Sequence, residues 1–206
     1  MNDQEGVIKY ELLFTATAAV LNHDYADLSR WHHRFKNAGI LGQDPERYEG
    51  LGFGNLSQRL DGSNFLISGT QTGCLDLLTA ADYALVTHAE IAENRISAEG
   101  RIKPSSEALT HAAVYALDAD IRYVFHVHSP DIWKRREQLA LPETAAEIPY
   151  GTPEMANEMV RLYRNGAFEH MNVFAMAGHE DGIVGFDTTA NKAGEAIMGL
   201  LELELR

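Results

Sequence analysis

The stretch from Ile121 to His128, IRYVFHVH, combines β-branched and aromatic residues, which is typical of a buried strand. Side chains two residues apart on a strand share a face, so His126 and His128 point to one side and Phe125 and Val127 to the other. Two imidazoles on one face of a rigid strand are suitable ligands for zinc or a similar divalent ion. A lone His-x-His pair is more often a pair of hydrogen-bonded or solvent-facing histidines, and a third ligand and a nearby acid would favour the metal site.

The segments around this strand are marked by turn and capping residues. Predicted helices cover residues 7–21, 25–38 (Asp24 as cap, ended by Gly39), 105–117, 153–165 (Thr152 as cap, ended by Gly166) and 190–203 (Thr188 as cap). Predicted strands cover residues 56–60, 65–67, 83–91, 95–97, 121–128, 172–177 and 183–186. Because helices and strands alternate without a regular βαβ rhythm, the sequence predicts a mostly antiparallel sheet with flanking helices.

The composition sets limits on the class of protein. The 206 residues show no internal repeat or linker, which predicts a single domain over residues 1–206. A net charge of −13 argues against a partner that is a nucleic acid or an anionic membrane. The single cysteine, Cys74, excludes an internal disulfide and fits a reducing compartment. Without an apolar run of ~18 residues or a signal-peptide pattern, we expect a cytoplasmic protein.

A third imidazole is available from several positions. The remaining histidines are His23, His32, His33, His88, His111, His170 and His179. The adjacent His32 and His33 are interpreted as surface residues of a helix, and His170 as an exposed loop residue. His111 could face either the site or the core. His179 is favoured because it follows an apolar strand and precedes a glycine turn, a place where functional side chains are often displayed.

Three segments are candidate anion sites. Lys103-Pro104-Ser105-Ser106-Glu107 reads as a helix start, where free backbone N–H groups and serine hydroxyls attract anions, although simple capping is the more frequent role. The segment from Gly50 to Ser57, GLGFGNLS, is not a dinucleotide fingerprint, but its glycines allow close approach to a ligand. The segment from Ser68 to Gly73, SGTQTG, is rich in hydroxyl groups.

The order of these motifs resembles the class II aldolase/adducin head-domain family, in particular its fuculose-phosphate aldolase branch. The motifs are Gly-Asn-x-Ser, Ser-Gly-Thr, Lys-Pro-Ser-Ser-Glu, His-x-His-Ser and a final Gly-His. The resemblance extends from about Leu13 to Leu201, and its Lys-Pro-Ser-Ser-Glu and His-x-His motifs are the specific ones. It implies a three-layer α/β/α sandwich around a mainly antiparallel sheet, assembled as a homotetramer with active sites between subunits.

The resemblance also implies roles for individual residues. His126, His128 and His179 match the ligands of a Zn²⁺ or other divalent ion, and Glu107 matches the catalytic acid/base. The residues that match the loops holding an anionic substrate are Gly54, Asn55, Ser68, Gly69, Thr70, Ser105 and Ser106. Thr72-Gly73 is an alternative to Ser68-Gly69-Thr70 as the phosphate contact. Glutamate at position 107 disfavours the epimerase branch, which has aspartate there.

Two features depart from the family pattern. The family commonly has glycine directly after the third histidine, whereas Glu180 and Asp181 separate His179 from Gly182 here. No tyrosine occurs between Tyr123 and Tyr150, where the aldolases carry the one that protonates the departing aldehyde. The resemblance therefore does not say which residue protonates the product.

These residues, together with the resemblance, imply the function of a metal-dependent lyase. It would act on a small sugar phosphate or sugar-derived acid through an enediolate, by aldol cleavage, dehydration or decarboxylation. The alternative is a non-enzymatic, adducin-like interaction domain, which the presence of all three histidines disfavours.

Overall fold

An eight-stranded sheet forms the centre of the computed structural model, which describes residues 6–19 and 23–203. The strands, in chain order, are β1 (Glu11–Ala16), β2 (Gly42–Gln43), β3 (Gly52–Phe53), β4 (Asn55–Arg59), β5 (Phe65–Ser68), β6 (Tyr83–Glu90), β7 (Arg95–Gly100), β8 (Tyr123–His128), β9 (Val173–Ala175) and β10 (Gly182–Asp187). The large sheet has the order β1-β7-β6-β5-β4-β8-β10-β9, and β2 pairs separately with β3. Of its pairs only β1 with β7 is parallel, which confirms the mainly antiparallel sheet.

Helices cover both faces of this sheet. They are α1 (Ala26–Asn37), α2 (Ala108–Tyr115), α3 (Pro130–Lys134), α4 (Pro153–Arg164) and α5 (Ala190–Glu202). One core cluster joins α2 and α4 to one face of the sheet, and a second joins α1 and α5 to the other. The predicted three-layer α/β/α sandwich is therefore confirmed. In the described segments no helix has both the length and the apolarity needed to cross a membrane.

The alternation of β8 decides which face receives the histidines. Phe125 points toward α1, where its ring lies 6.1 Å from that of Trp31 and 5.8 Å from that of Phe35. His126 and His128 therefore point to the other face, which α2 and α4 cover. The packing of Phe125 against α1 thus leaves the two histidines of β8 on the opposite face of the sheet.

The predicted helix over residues 7–21 is wrong, because its central part is strand β1. Leu12 and Phe14 are half-buried against the core, whereas Leu13 between them is 51% exposed, so this segment follows a period of two residues. Six residues of β1 pair in parallel with β7. Tertiary pairing therefore overrides the helix propensity of the alanines. Residues 20 and 21 of the predicted helix lie outside the described residues.

Two predicted helix starts also need correction. The helix predicted to begin at Ser105 begins at Ala108, and residues 105–107 form a turn before it. The final helix is capped by Thr189 rather than Thr188, since the Thr189 hydroxyl accepts a hydrogen bond from the Lys192 N–H at 3.3 Å. The short helix α3 was not predicted, because at five residues it is too brief to show a periodic pattern.

The remaining helix signals are confirmed with small adjustments. Thr152 caps α4 through the Met155 N–H, with Pro153 in the first turn. Tyr25 occupies the N-cap position of α1, while the Asp24 carboxylate accepts a hydrogen bond from the Ala26 N–H at 2.9 Å. Gly39 ends this segment with a φ of +73°, which suits glycine.

The contact between α1 and α5 requires glycine at position 194. A Cβ atom added there would overlap the Trp31 ring, whereas one added at Gly199 on the same helix would meet nothing within 4 Å. We expect Gly194→Ala to lower the free energy of unfolding by about 1–3 kcal/mol, because overpacking outweighs the better helix propensity of alanine. Gly199→Ala is the matched control and should be neutral or stabilising. Denaturant unfolding of both variants tests this, and equal stabilities would contradict it.

Candidate metal centre and adjoining anion site

Strand β8 carries two candidate ligands into the interior of the fold. It is hydrogen-bonded to β4 on one side and β10 on the other, with His126 opposite Asn55 and Val184. His126 and His128 are both fully buried, and their ring centroids are 4.9 Å apart. Since an interior strand resists distortion, the two imidazoles are held on a rigid base.

The turn after β9 brings His179 to the same place. The Gly182 N–H donates to the His179 carbonyl at 3.0 Å, and Asp181 at the corner has a φ of +64°. A Cβ at Gly182 would come within 2.9 Å of the His179 ring and 3.2 Å of the His126 ring, so glycine permits the close approach. The two residues between His179 and Gly182 therefore form the turn and leave His179 beside His126 and His128, at ring-centroid distances of 5.4 and 4.8 Å.

Glu107 approaches the three histidines from the start of α2. It occupies the N-cap position, yet its side chain makes no capping hydrogen bond. Its Oε1 atom lies 2.9 Å from His126 Nε2 and 3.8 Å from His179 Nε2. The Asn55 amide donates to the same oxygen at 3.2 Å. The carboxylate thus points into the histidine cluster rather than stabilising the helix end.

These four residues fit a divalent transition metal. One ligand atom from each of Glu107, His126, His128 and His179 lies within 4.8 Å of the others, and all four side chains are at most 4% exposed. Tetrahedral ligands with bonds of ~2.1 Å lie about 3.4 Å apart, so a modest contraction would suffice. The second Glu107 oxygen, Oε2, is buried without a hydrogen-bond partner among the described residues. The site can hold a metal, and the donor set does not select among zinc and its neighbours.

The electrostatics of the cluster favour the neutral form of His128 and the ionised form of Glu107. Burial, followed by the charges of His179 and His126, lowers the pKa of His128 well below its ordinary value. Burial raises the pKa of Glu107, but the charge and hydrogen bond of His126 outweigh this effect and leave the pKa below its ordinary value. A neutral imidazole and an ionised carboxylate are the forms that bind metal.

The predicted anion loops converge on a small concavity beside Glu107. Its lining includes the predicted residues Gly54, Asn55, Gly69, Thr70, Ser105 and Ser106. Thr72 and Gly73, the alternative phosphate contact, line the same space, and so does Gly6 from the N-terminal segment. The three loops, widely separated in sequence, therefore meet in one place.

Ser68 has a different surrounding from the other predicted anion-site residues. Its hydroxyl accepts the Leu56 N–H at 3.1 Å, and its carbonyl accepts the Ser105 N–H at 3.1 Å. The side chain therefore ties β4 to β5, and the backbone ties β5 to the serine loop. Ser105 also has an internal contact, because its hydroxyl accepts the Glu107 N–H at 3.3 Å.

The other histidines lie outside the ligand cluster. His33 and His170 are exposed, as predicted. The interpretation of His32 as a surface residue is wrong, since its side chain is 1% exposed. Burial lowers the pKa of His32 to about 4. Two adjacent histidines on a helix point in different directions, so one of them can be buried. The sequence pattern does not show which of the two it is.

His111 lies in the core near the cluster. Its Nδ1 atom is 2.6 Å from the Ser57 hydroxyl, which is 2.7 Å from the Tyr115 hydroxyl. Burial lowers the pKa of His111 to about 3. His111 therefore belongs to a buried chain of hydrogen bonds with Ser57 and Tyr115, and it is not one of the candidate ligands.

The lowered pKa of His111 predicts that the protein loses stability in acid. The folded protein holds His111 neutral, whereas the unfolded chain protonates it below its ordinary pKa of 6.5, so its contribution is lost as pH falls from 6.5 toward 3. Between pH 7 and 5 we expect the stability difference between the natural protein and His111→Gln to shrink by about 2 kcal/mol. Denaturant unfolding at both pH values measures it, with exposed His170→Gln as control. A pH-independent difference would contradict the prediction.

Two tyrosines beside the cluster were missed by the sequence reasoning. The Tyr48 ring lies 4.6 Å from the His128 ring, and the Tyr150 ring lies 4.7 Å from the His179 ring. The Tyr150 hydroxyl meets the Val7 backbone, accepting from its N–H and donating to its carbonyl. No motif surrounds either tyrosine, and their proximity arises only from the tertiary fold.

Comparison with solved structures agrees with this architecture. L-fuculose-1-phosphate aldolase from Thermus thermophilus is 18% identical, with a TM-score of 0.62 over 86% of this chain and 89% of that one. A sugar-phosphate aldolase from Thermotoga maritima is 16% identical, with a TM-score of 0.57 over 87% and 94%. YgbL of Escherichia coli, a candidate aldolase, epimerase or decarboxylase, is 21% identical, with a TM-score of 0.58 over 85% and 84%. At these identities the likeness concerns the fold.

The sequence itself provides the family assignment. The pattern of the family described as Class II Aldolase and Adducin N-terminal domain matches residues 45–203, more than half of the chain. This range contains the four clustered residues and the anion loops, whereas the N-terminal segment with β1 and α1 precedes it. The resemblance inferred from the motifs is confirmed, and the chain belongs to the class II aldolase and adducin N-terminal domain family.

Proposed function

We propose that this protein is a metal-dependent lyase that acts on a small, anionic sugar phosphate or sugar-derived acid. Its family membership supports the proposal, as does its similarity in fold to an L-fuculose-1-phosphate aldolase and a sugar-phosphate aldolase. The buried group of one carboxylate and three imidazoles supports the dependence on Zn²⁺ or another divalent ion.

One contact carries the proposal. Asn55 lines the concavity formed by the anion loops, and its amide also donates to Glu107 Oε1 at 3.2 Å. The candidate metal centre and the candidate anion site are therefore neighbours. A substrate with an anionic group in the loops would extend its other end toward Glu107. This arrangement suits a phosphorylated or carboxylated sugar.

Different residues would bind the metal, transfer the proton and orient the substrate. His126, His128 and His179, with Glu107 close by, would hold the ion, which would supply Lewis acidity for the charge of an enediolate. Glu107 would take up the proton from the reacting carbon, because its carboxylate is ionised and its Oε2 has no hydrogen-bond partner among the described residues. The carboxylic acid formed in this way could then deliver the proton to the product. The glycine and serine loops orient the substrate through its anionic group.

Aldol cleavage, dehydration and decarboxylation all share this intermediate, and a product screen separates them. The zinc-loaded protein is incubated with hydroxy-keto sugar phosphates and with the matching unphosphorylated acids. We expect a released aldehyde, carbon dioxide or dehydrated product with at least one compound. Absence of turnover with every compound and with Mn²⁺, Co²⁺ and Zn²⁺ would favour the non-enzymatic adducin-like alternative.

The anion loops are tested with the same assay. Ser106→Ala should raise KM for a phosphorylated substrate with a smaller effect on kcat, because a ground-state contact is lost. Ser63→Ala, in the exposed turn between β4 and β5, is the matched control and should leave KM unchanged. An unchanged KM in Ser106→Ala would remove this residue from the anion site.

We further propose that the protein assembles as a homotetramer. The proposal rests on the family to which the chain belongs. Light scattering or sedimentation should give about four times the chain mass of 22.8 kDa. A monomer that remains active at micromolar concentration would contradict an active site shared between subunits.

A further inference from the structure

Arg47, Tyr48 and Asp181 form a hydrogen-bonded group on one side of the histidine cluster. We propose that this group, here called the Tyr48 clamp, positions the imidazoles of His128 and His179 for metal binding. The inference deepens the proposed function and rests on it. The three residues are positioning residues, since they act through the histidines.

The hydrogen bonds of the clamp converge on one hydroxyl. The Tyr48 hydroxyl donates to Asp181 Oδ2 at 2.6 Å and accepts from Arg47 Nη2 at 2.7 Å. The Arg47 guanidinium also donates to the Gly39 carbonyl at 3.2 Å and to the His128 carbonyl at 3.4 Å. Both neighbours of this hydroxyl are charged, which makes its contacts stronger than those between neutral groups.

The ring of Tyr48 reaches the imidazole of His128 directly. Their centroids are 4.6 Å apart at an interplanar angle of 72°, and Phe53 lies on the same side, 5.1 Å from Tyr48 and 5.7 Å from His128. The Arg47 guanidinium covers the Phe53 ring at 4.5 Å. Rotation of the His128 ring away from the cluster is therefore opposed by two packed aromatic rings.

Asp181 connects the clamp to the second ligand segment. It lies two residues after His179, in the turn that ends at Gly182. Its carbonyl accepts the Ser129 N–H at 2.8 Å, directly after β8. The clamp thus joins the end of β8, which carries His128, to the turn that carries His179. These contacts hold the two ligand segments against each other.

The backbone is sterically unfavourable at both ends of the central hydrogen bond. Tyr48 has a φ of +48° and Asp181 a φ of +64°, and Glu49 beside Tyr48 has +58°. Side-chain-bearing residues rarely adopt this region, and they persist there where surrounding contacts over-determine the conformation. Tyr48 and Asp181 both keep such a conformation at the point where they meet, and aspartate adopts it more readily than tyrosine, so the surrounding contacts must hold Tyr48 in particular.

Titration of the apoprotein with Co²⁺ tests the clamp without substrate, because the visible absorption of the ion reports its coordination. Tyr48→Phe keeps the ring and removes the hydroxyl, and we expect Kd to rise roughly 10–100-fold with shifted absorption bands. Asp181→Ala should resemble it, whereas Asp181→Asn keeps an acceptor oxygen and should recover most of the affinity. If Tyr48→Phe fails to fold, the two Asp181 variants decide the question.

Tyr123→Phe is the matched control. Tyr123 also donates to an aspartate, Asp27, at 3.1 Å, and it lies on the same strand about 16 Å from His128. Its Kd and spectrum should match the natural protein. Unchanged Co²⁺ binding in Tyr48→Phe, or equal weakening in Tyr123→Phe, would overturn the clamp alone. Failure of the natural protein to bind Co²⁺ would overturn the metal site and the clamp together.

Discussion

Glu107→Gln should lower turnover by roughly 10²–10⁴-fold while the fold remains intact. The amide has nearly the same shape as the carboxylate and can still accept the Asn55 hydrogen bond, but it cannot carry the proton. The loss should appear in kcat, because the proton is transferred in the reaction step and not on binding. Steady-state kinetics on the first active substrate measures the loss of kcat, and circular dichroism measures whether the fold is intact.

Other outcomes of this substitution have distinct meanings. If Glu107 serves mainly as a ligand, the metal affinity should fall together with turnover. If it is only a helix-start residue, activity should survive and stability should fall by no more than ~1 kcal/mol. Glu154→Gln, an exposed glutamate in the first turn of α4, is the matched control and should leave kcat unchanged. An intact kcat in Glu107→Gln would remove this residue from the mechanism.

His128→Ala should reduce the bound metal from near one ion per chain to near zero. The substitution removes one of three buried imidazoles, and the remaining donors cannot complete the coordination of the ion. Elemental analysis after dialysis against a metal-buffered solution measures the change. His126→Ala should have the same effect, and the exposed His170→Ala should have none. Full occupancy after removal of both His126 and His128 would contradict the account.

Local patterns predicted those parts of the fold in which periodicity and burial agree. The alternation in β8 placed its histidines and its aromatic residues on opposite faces, and the cap at Thr152 marked the start of α4. The N-terminal segment could not be predicted in this way. Its alanines favour a helix, and only parallel pairing with β7, more than eighty residues away, makes it a strand.

The candidate site shows the same division. The residues brought together, His126, His128, His179 and Glu107, lie in motifs whose spacing is visible in the sequence. Tyr48 and Asp181 lie in no motif. Their contact depends on positive φ angles, which cannot be predicted from either residue type. Ser68 was grouped with the anion loops by sequence order, whereas its hydroxyl binds the Leu56 backbone.

We propose that one divalent ion is held among Glu107, His126, His128 and His179. Crystals of the zinc-loaded protein measured on both sides of the zinc absorption edge test it most directly, because the anomalous difference map locates the ion itself. We expect a single strong peak per chain about 2.0–2.1 Å from one nitrogen of each of the three histidines. Zinc bound stoichiometrically at any other position, with no peak inside this cluster, would contradict it.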